Sequence, residues 1–576
     1  MQRPTPTSNN ALPFQLGTFE TLVEGLDYAA KGETGYNYYT RRGELRQILS
    51  YAELRENAIS LARKLVNLKL PRGARVALVA ETTPDFHCFF FACQYASLLP
   101  VQLPVPMNLG GKDAYVEQLR RMIVSADPSA AMASSDMIDL LRQAVDGLEI
   151  PMVGTPQDFY AQPEGPEFRP TGRDDLCYIQ YSSGSTSDPK GVIVSQRSAS
   201  SNVRAITLHG LDVRPGDRCA SWLPLYHDMG LIGFCISPTL SQLSVDYIAT
   251  ADFARRPLIW LRLISENRGT VGFSPSFGYD LCRRQGGNGA AESLDLSSWR
   301  VAGIGGDMVR AGVLNRFAET FAGAGFKRSA FVPSYGLAES TLAVSFAPLD
   351  GDFEVDRVNK QELAQAGRAV PAATDVPAEK ARSFVLCGKA MPEHEVEIRD
   401  QDGKRLPDRE VGRILVRGPS VMVGFFQDPE STAAVLSEDG WLDTGDLGYT
   451  INGSLVITGR SKDLIICNGR NIWPQDIEWA VERLPGIRNG DVAAFSVDFP
   501  ETGEEVVTIV QCRTNEEDAR EQLLQDVTAI VRKSVGVDTK VVLAPTRSLP
   551  LTSSGKISRT FTKVRYLSGY FAAAPN

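Results

Sequence analysis

The sequence has no C-x-x-C pair: its nine cysteines fall singly along the chain, which excludes zinc knuckles and offers no disulfide framework. A reduced, cytoplasmic setting is therefore the expectation. Long apolar runs are missing too. The longest stretch, residues 86–106, is interrupted by His87, Gln94, Gln102 and several prolines, so it does not span a membrane. The opening residues, MQRPTPTSNNALPF, lack the apolar centre of a secretory leader. No repeat of fixed period and no low-complexity tract is present. Basic residues are in deficit, 60 against 69 acidic ones with a net charge of −9, which argues against nucleic acid as a main partner. Two nucleotide signatures also fail. The Walker A spacing from Gly184 meets Pro189 where its second glycine belongs, and G-x-G-x-x-G from Gly303 ends on Met308. Neither a P-loop nor a dinucleotide fold is supported.

What is present is ordinary soluble composition, 43% hydrophobic and 22% charged. The 576 residues imply about two to four domains. Through about residue 340 short strands alternate with helices. The run 75–80 (RVALVA) reads as a strand and 84–96 as a Phe-rich helix, while Ser50 and Glu53 form a helix-starting box. Such alternation predicts a parallel sheet covered by helices.

Within that half, residues 181–191 read YSSGSTSDPKG. Small hydroxyl side chains surround Gly184, and the apolar run before them predicts a loop leaving a buried strand. A loop without bulk brings backbone N–H groups and hydroxyls close to a phosphate. Lys190 adds a point charge for a polyphosphate; a flexible linker is the alternative. Residues 222–231 read WLPLYHDMGL. Pro224 and Gly230 leave His227 and Asp228 on irregular backbone, an arrangement serving either chemistry or structure. In 334–341 (SYGLAEST), Tyr335 suits ring stacking or core packing. Glu339 suits a hard cation or a solvated helix end.

Residues 354–382 are charged and rich in Ala and Pro, and they read as an inserted helical or loop element without a strong strand. From Phe384 short strands return at 395–399, 413–417, 441–443 and 455–458, separated by Asp-Gly and Asn-Gly turns. Beyond Gly459, the polar 459–463 fits a hinge. A unit of about 110 residues follows, with strands at 464–467, 492–497, 505–512 and 540–544 and helices at 474–484 and 516–535.

Taken together, the motifs from SSGSTSDPKG to LPLTSSGKISR (549–559) resemble the adenylate-forming ANL superfamily over nearly the whole chain. WLPLYHDMGL, PSYGLAEST, the insertion at 351–384 and GRSKDLIICNGRNIWPQDIE (459–478) resemble its fatty acyl-AMP ligases. The resemblance implies an α/β fold: a large N-terminal domain, 1–459, and a small mobile α+β domain, 464–576. The large domain would hold two α/β subdomains with parallel sheets and a β-rich subdomain at about 385–459. A hinge at 460–463, centred on Lys462, would join the two. It implies ATP and Mg²⁺ as cofactors, a fatty acid as substrate and a holo acyl carrier protein as partner.

It also implies residue roles. Ser182, Ser183, Gly184, Ser185, Thr186 and Lys190 would hold the phosphates, with Glu339 and Thr186 at the metal. Ser334, Tyr335 and Gly336, with Gly305, Gly306 and Asp307, would frame adenine. Asp446 would take the ribose hydroxyls and Arg460 the ribose or α-phosphate. His227 would sit at the mouth of an acyl tunnel lined by Phe234, Phe273, Phe277 and Tyr279. Lys556, on the mobile domain, would bridge the carboxylate and the α-phosphate, where charge concentrates in the transition state.

The acceptor is the sharper question. In these ligases the insertion is held to restrain domain motion and so to disfavour coenzyme A. Here Phe353, Val355, Val358 and Leu363 offer it an apolar docking face, although its composition also suits a loose surface loop. Arg559, Lys563 and Arg565 are candidates for a basic patch facing an acidic carrier protein. An acyl-CoA ligase and a non-catalytic acyl or nucleotide binder are the rival readings.

Overall fold

A computed structural model describes residues 12–106, 111–165, 167–181, 189–287, 289–349, 351–467, 470–499, 503–552 and 556–571. The mixed α/β expectation holds, and no helix among these residues is long and apolar enough to cross a membrane.

One seven-stranded sheet has a parallel centre. Its strand Leu99–Leu103 is buried at every position, as expected of a parallel sheet covered on both faces. Leu176–Tyr181 lies next to it, and its antiparallel neighbour is Gly191–Ser195. Helices cover this layer. Tyr51–Asn67 starts at the Ser50–Glu53 capping box and buries Leu54, Ala58, Leu61 and Leu65 on one face. Pro84–Ala96 is buried continuously from Phe86 to Tyr95, a helix enclosed on all sides.

The second sheet is parallel through Arg218–Ser221, Val271–Ser274, Val301–Ile304 and Phe331–Gly336. It then turns antiparallel through Ala343–Phe346, Ala381–Ala390, Ser454–Arg460 and Leu442–Ile451. The β-rich region is thus hydrogen-bonded onto the parallel sheet rather than set apart. Phe331–Gly336 is the strand where the two patterns meet, and ligand crevices favour such switch points.

The insertion does contain a strand, which corrects the sequence reading: Val355–Asn359 pairs antiparallel with Ala381–Ala390. Its alternation was hidden because one inward residue is charged. Asp356 is buried, held by Arg409 at 3.1 Å and by the Tyr449 hydroxyl at 2.6 Å. The helix Lys360–Ala366 follows, capped by Asn359. Phe353, Val358 and Leu363 are buried, whereas Val355 is 40% exposed.

Beyond the short turn Ser461–Asp463, a three-stranded sheet forms from Val492–Phe499, Gly503–Gln511 and Lys540–Ala544. Helices Pro474–Val481 and Glu517–Val535 close a separate core around Ile477, Val492, Val510, Val527 and Val531.

Candidate active site

Two connected spaces meet beside the switch-point strand. The narrower, a cavity of about 140 Å³, is lined by His227, Phe234, Phe273, Tyr335 and Glu339, among others. The wider, a cleft of about 510 Å³, runs past Asp307, Phe277 and Asp446 towards the C-terminal unit. Gly306, Ser334, Tyr335, Gly336, Arg460 and Lys556 line both. The narrow space suits an extended apolar chain and the wide polar one suits a nucleotide.

Each side chain arrives for a local reason. Asp446 and Arg460 are directly opposed on the antiparallel strands Leu442–Ile451 and Ser454–Arg460. Such cross-strand pairs interact, and Arg460 Nε lies 3.2 Å from Asp446 Oδ1. The Tyr335 hydroxyl donates to Asp446 Oδ2 at 2.7 Å. Burial, then the Asp446 charge, pushes the Tyr335 phenol well up, so it stays a donor. The Asp446 charge raises the Arg460 pKa against the pull of burial. Each Asp446 oxygen keeps a lone pair beyond these contacts.

His227 caps the short helix Asp228–Gly230, and its Nδ1 lies 2.6 Å from Asp228 Oδ1. Burial alone would raise the Asp228 carboxyl. The His227 charge and hydrogen bond, the Met229 N–H and Lys556 outweigh it, leaving the pKa below the ordinary value. Glu339 stands on the turn Ala338–Ser340 after the switch-point strand. Burial raises its pKa, partly countered by Arg460. Lys556 reaches in from the C-terminal unit, and its ammonium donates to the Gly306 carbonyl. Gly306 has φ +72°, a conformation glycine adopts without cost.

Several expected residues stand elsewhere. Ser182, Ser183, Gly184, Ser185 and Thr186 lie outside the described residues. Lys190 lines neither space: its ammonium donates to Ser431 Oγ at 2.9 Å and sits 5.0 Å from the Phe425 ring centre. Gly305 does not line the site, and it packs where a Cβ would meet Ser334 Oγ at 2.7 Å. Tyr279 is a core residue rather than a tunnel residue. It is fully buried, its hydroxyl donates to the Gly303 carbonyl at 2.9 Å and its ring packs on Trp299. Phe277 lines the wider cleft instead of the narrow one. Lys462 lies on the Ser461–Asp463 turn, where burial and then Arg460 lower its pKa.

Arg559 is unavailable to a carrier protein. Its guanidinium is clamped by Glu478 through Nε at 2.8 Å and Nη2 at 2.7 Å, and by Asp463 at 2.7 Å. Arg565 donates to the Ser548 carbonyl at 2.8 Å and stacks over Tyr570. Sequence reading missed the link from Arg382 to Asp476, 3.1 Å, which ties the insertion's end to the helix Pro474–Val481. It also passed over Asn202, Ser420 and His394 behind Glu339, since each looks like an ordinary polar residue.

A family model described as "AMP-binding enzyme" matches residues 29–426. The chain belongs to that family. This adenylate-forming enzyme is 46% identical to a Caulobacter vibrioides protein provisionally named an acyl-CoA synthetase, with 98% of each chain covered. It is 32% identical to the medium-chain-fatty-acid–[acyl-carrier-protein] ligase JamA of Moorena producens, covering 96% of each. A solved structure from work on fatty acyl-adenylate ligases of E. coli and L. pneumophila superposes with a TM-score of 0.93. It shares 44% identity and covers 97% of this chain and all of that one.

AMP-binding enzymes use ATP with Mg²⁺. Among the described residues no group of three or more His, Cys, Asp and Glu could cage a metal. Mg²⁺ takes one or two carboxylates and completes its shell with water and substrate phosphates. Glu339 and Asp228 are carboxylates lining the narrow space; an ion held by either would offset phosphate charge.

Proposed function

We propose that the enzyme joins a fatty acid to AMP and then passes the acyl group to the phosphopantetheine thiol of an acyl carrier protein. In the first step a carboxylate oxygen bonds to the α-phosphorus as the bond to pyrophosphate breaks. In the second the thiol, losing its proton, bonds to the acyl carbon and AMP leaves.

The carrying observation is the meeting of Lys556 with His227, Glu339 and Arg460 around one space, although Lys556 belongs to a separately cored unit. An ammonium there opposes the repulsion between a carboxylate and a polyphosphate, which positioned cations must overcome. Arg460 adds a second positive charge. Asp446 is the acceptor for ribose hydroxyls, Tyr335 the ring beside adenine, and Gly306 and Asp307 edge the base. Phe234 and Phe273 form the apolar wall for the acyl chain, with Phe277 towards the nucleotide.

Preference for a carrier protein over coenzyme A is supported by the insertion. Val358 and Leu363 pack in one cluster with Trp473, Glu379 pairs with Lys533 at 3.0 Å, and Arg382 pairs with Asp476. These contacts resist the rotation that acyl transfer to a small thiol requires. The name of the Caulobacter relative favours a second reading, an acyl-CoA ligase. Fatty-acid-dependent exchange of labelled pyrophosphate into ATP tests the first step. Offering coenzyme A and a holo carrier protein in parallel tests the second; rapid discharge to coenzyme A alone would overturn the carrier assignment.

A further inference from the structure

Thr341, two residues after Glu339, has φ +65° and ψ −62°, a region β-branched residues avoid. It is the centre of a three-residue turn in which the Leu342 N–H donates to the Ser340 carbonyl at 2.7 Å. This is the rarer, strained hand of the γ-turn. Strain of that kind persists only where the surroundings over-determine it.

The surroundings are specific. Thr341 is buried, and its Oγ1 donates to the Ser420 carbonyl at 2.7 Å. Two residues on, the Met422 N–H donates to the Glu339 carbonyl at 2.8 Å. Residues 420–422 therefore grip the turn on both sides of Ser340. Behind them donation runs one way through a buried chain. Asn202 Nδ2 donates to Ser420 Oγ at 3.0 Å, and Ser420 Oγ donates to His394 Nε2 at 2.7 Å. His394 Nδ1 in turn donates to the Pro392 carbonyl at 3.0 Å. Asn202 also holds both backbone groups of Ala343, at 2.8 and 3.1 Å. A fully satisfied buried network rigidifies what it holds.

We propose that Thr341 is a positioning residue for Glu339: its hydroxyl, locked to Ser420, stores the turn that aims the carboxylate at the metal and phosphates. This rests on the reading of Glu339 as the metal-facing carboxylate. Partners that orient a metal ligand are worth about 10- to 100-fold in metal affinity.

The test is binding of a non-hydrolysable ATP analogue, titrated with Mg²⁺ and repeated without it, alongside thermal midpoints. Thr341→Val keeps the shape and loses the hydroxyl; it should raise the half-saturating Mg²⁺ concentration at least about tenfold. Binding without Mg²⁺ should be unchanged, and Thr341→Ser should restore the metal dependence. Should the valine variant fail to fold, Thr341→Gly takes its place, since glycine adopts this φ freely, and it should show the same weakened response. Wild-type Mg²⁺ dependence in either variant overturns the proposal. So does a lowered midpoint with Mg²⁺-free and Mg²⁺-bound affinity falling together. Wild-type Mg²⁺ dependence in Glu339→Gln instead overturns the reading of Glu339, and the proposal with it.

Discussion

Replacing Asp476 with Asn should loosen the closed arrangement of the two units without unfolding either. Arg382 is 3% exposed, its guanidinium centre 4.6 Å from the Phe384 ring centre and 4.9 Å from that of Trp473. Burial lowers its pKa and the Asp476 charge resists this. Removing that charge leaves a buried cation facing a neutral amide. Breaking such a pair costs roughly 3–5 kcal/mol, and the lower end is taken because parting the units lets the cation reach water. Arg382 belongs to the large sheet and Asp476 to the separately cored unit, so parting them returns the guanidinium to water. The cost therefore falls on closure. About 3 kcal/mol is a ratio of roughly 150 between closed and open forms.

Two half-reactions report it. Pyrophosphate exchange, which needs Lys556 in the cleft, should slow by up to that factor. Discharge of preformed acyl-adenylate should slow less or accelerate, and protease cleavage near 460–463 should increase. The double variant Arg382→Met with Asp476→Leu removes both charges and should recover closure, as apolar replacements of buried pairs do. A lowered thermal midpoint with an unchanged ratio of half-reactions would refute the reasoning.

Lys556→Ala should cut pyrophosphate exchange by about 10²–10³-fold, the usual cost of one transition-state donor, while ATP binding measured by calorimetry stays within a few-fold. Arg559→Ala strips the shared cation from Glu478 and Asp463. It should expose the 556–571 segment to hydrogen exchange and lower adenylation, with the large unit's protection unchanged. His87 is fully buried against Tyr38 and Tyr247, and burial lowers its pKa from near 6.5 to about 4. The unfolded chain then binds the extra proton first. His87 thus costs nothing above pH 6.5 but removes up to about 3 kcal/mol of stability as pH falls from 6.5 towards 4. Urea midpoints at pH 7.5 and 4.5 should differ less in His87→Gln than in the wild type.

The alternation of strands and helices and the capping box at Ser50 could be read from period and punctuation, because those features are local. The insertion's strand could not. Asp356 occupies an inward position where a pattern reader expects an apolar residue, and its partners Arg409 and Tyr449 are distant in sequence. Tyr279 and Phe277 failed for a related reason. An aromatic residue near a pocket strand faces either core or cavity, and a change of one position along a strand or helix start decides which. Arg559 looked like surface charge because its two carboxylates come from 81 and 96 residues earlier.

What motif reading does find is the set of groups proposed to touch the nucleotide, since their chemistry restricts residue type. What it leaves out is the layer that holds them. Asp446 is legible as an acceptor, but not the fact that Tyr335 and Arg460 each claim one of its oxygens. Glu339 is legible as a candidate ligand for a hard cation, but not the strained turn at Thr341 or the Asn202–Ser420–His394 chain behind it. Those residues act through geometry that any small polar side chain could resemble in sequence. In this fold they sit behind a strand where a parallel sheet turns antiparallel, beside a crevice to which that strand supplies side chains. The supporting layer is therefore where variation among related ligases should alter metal response and closure while leaving the motifs intact.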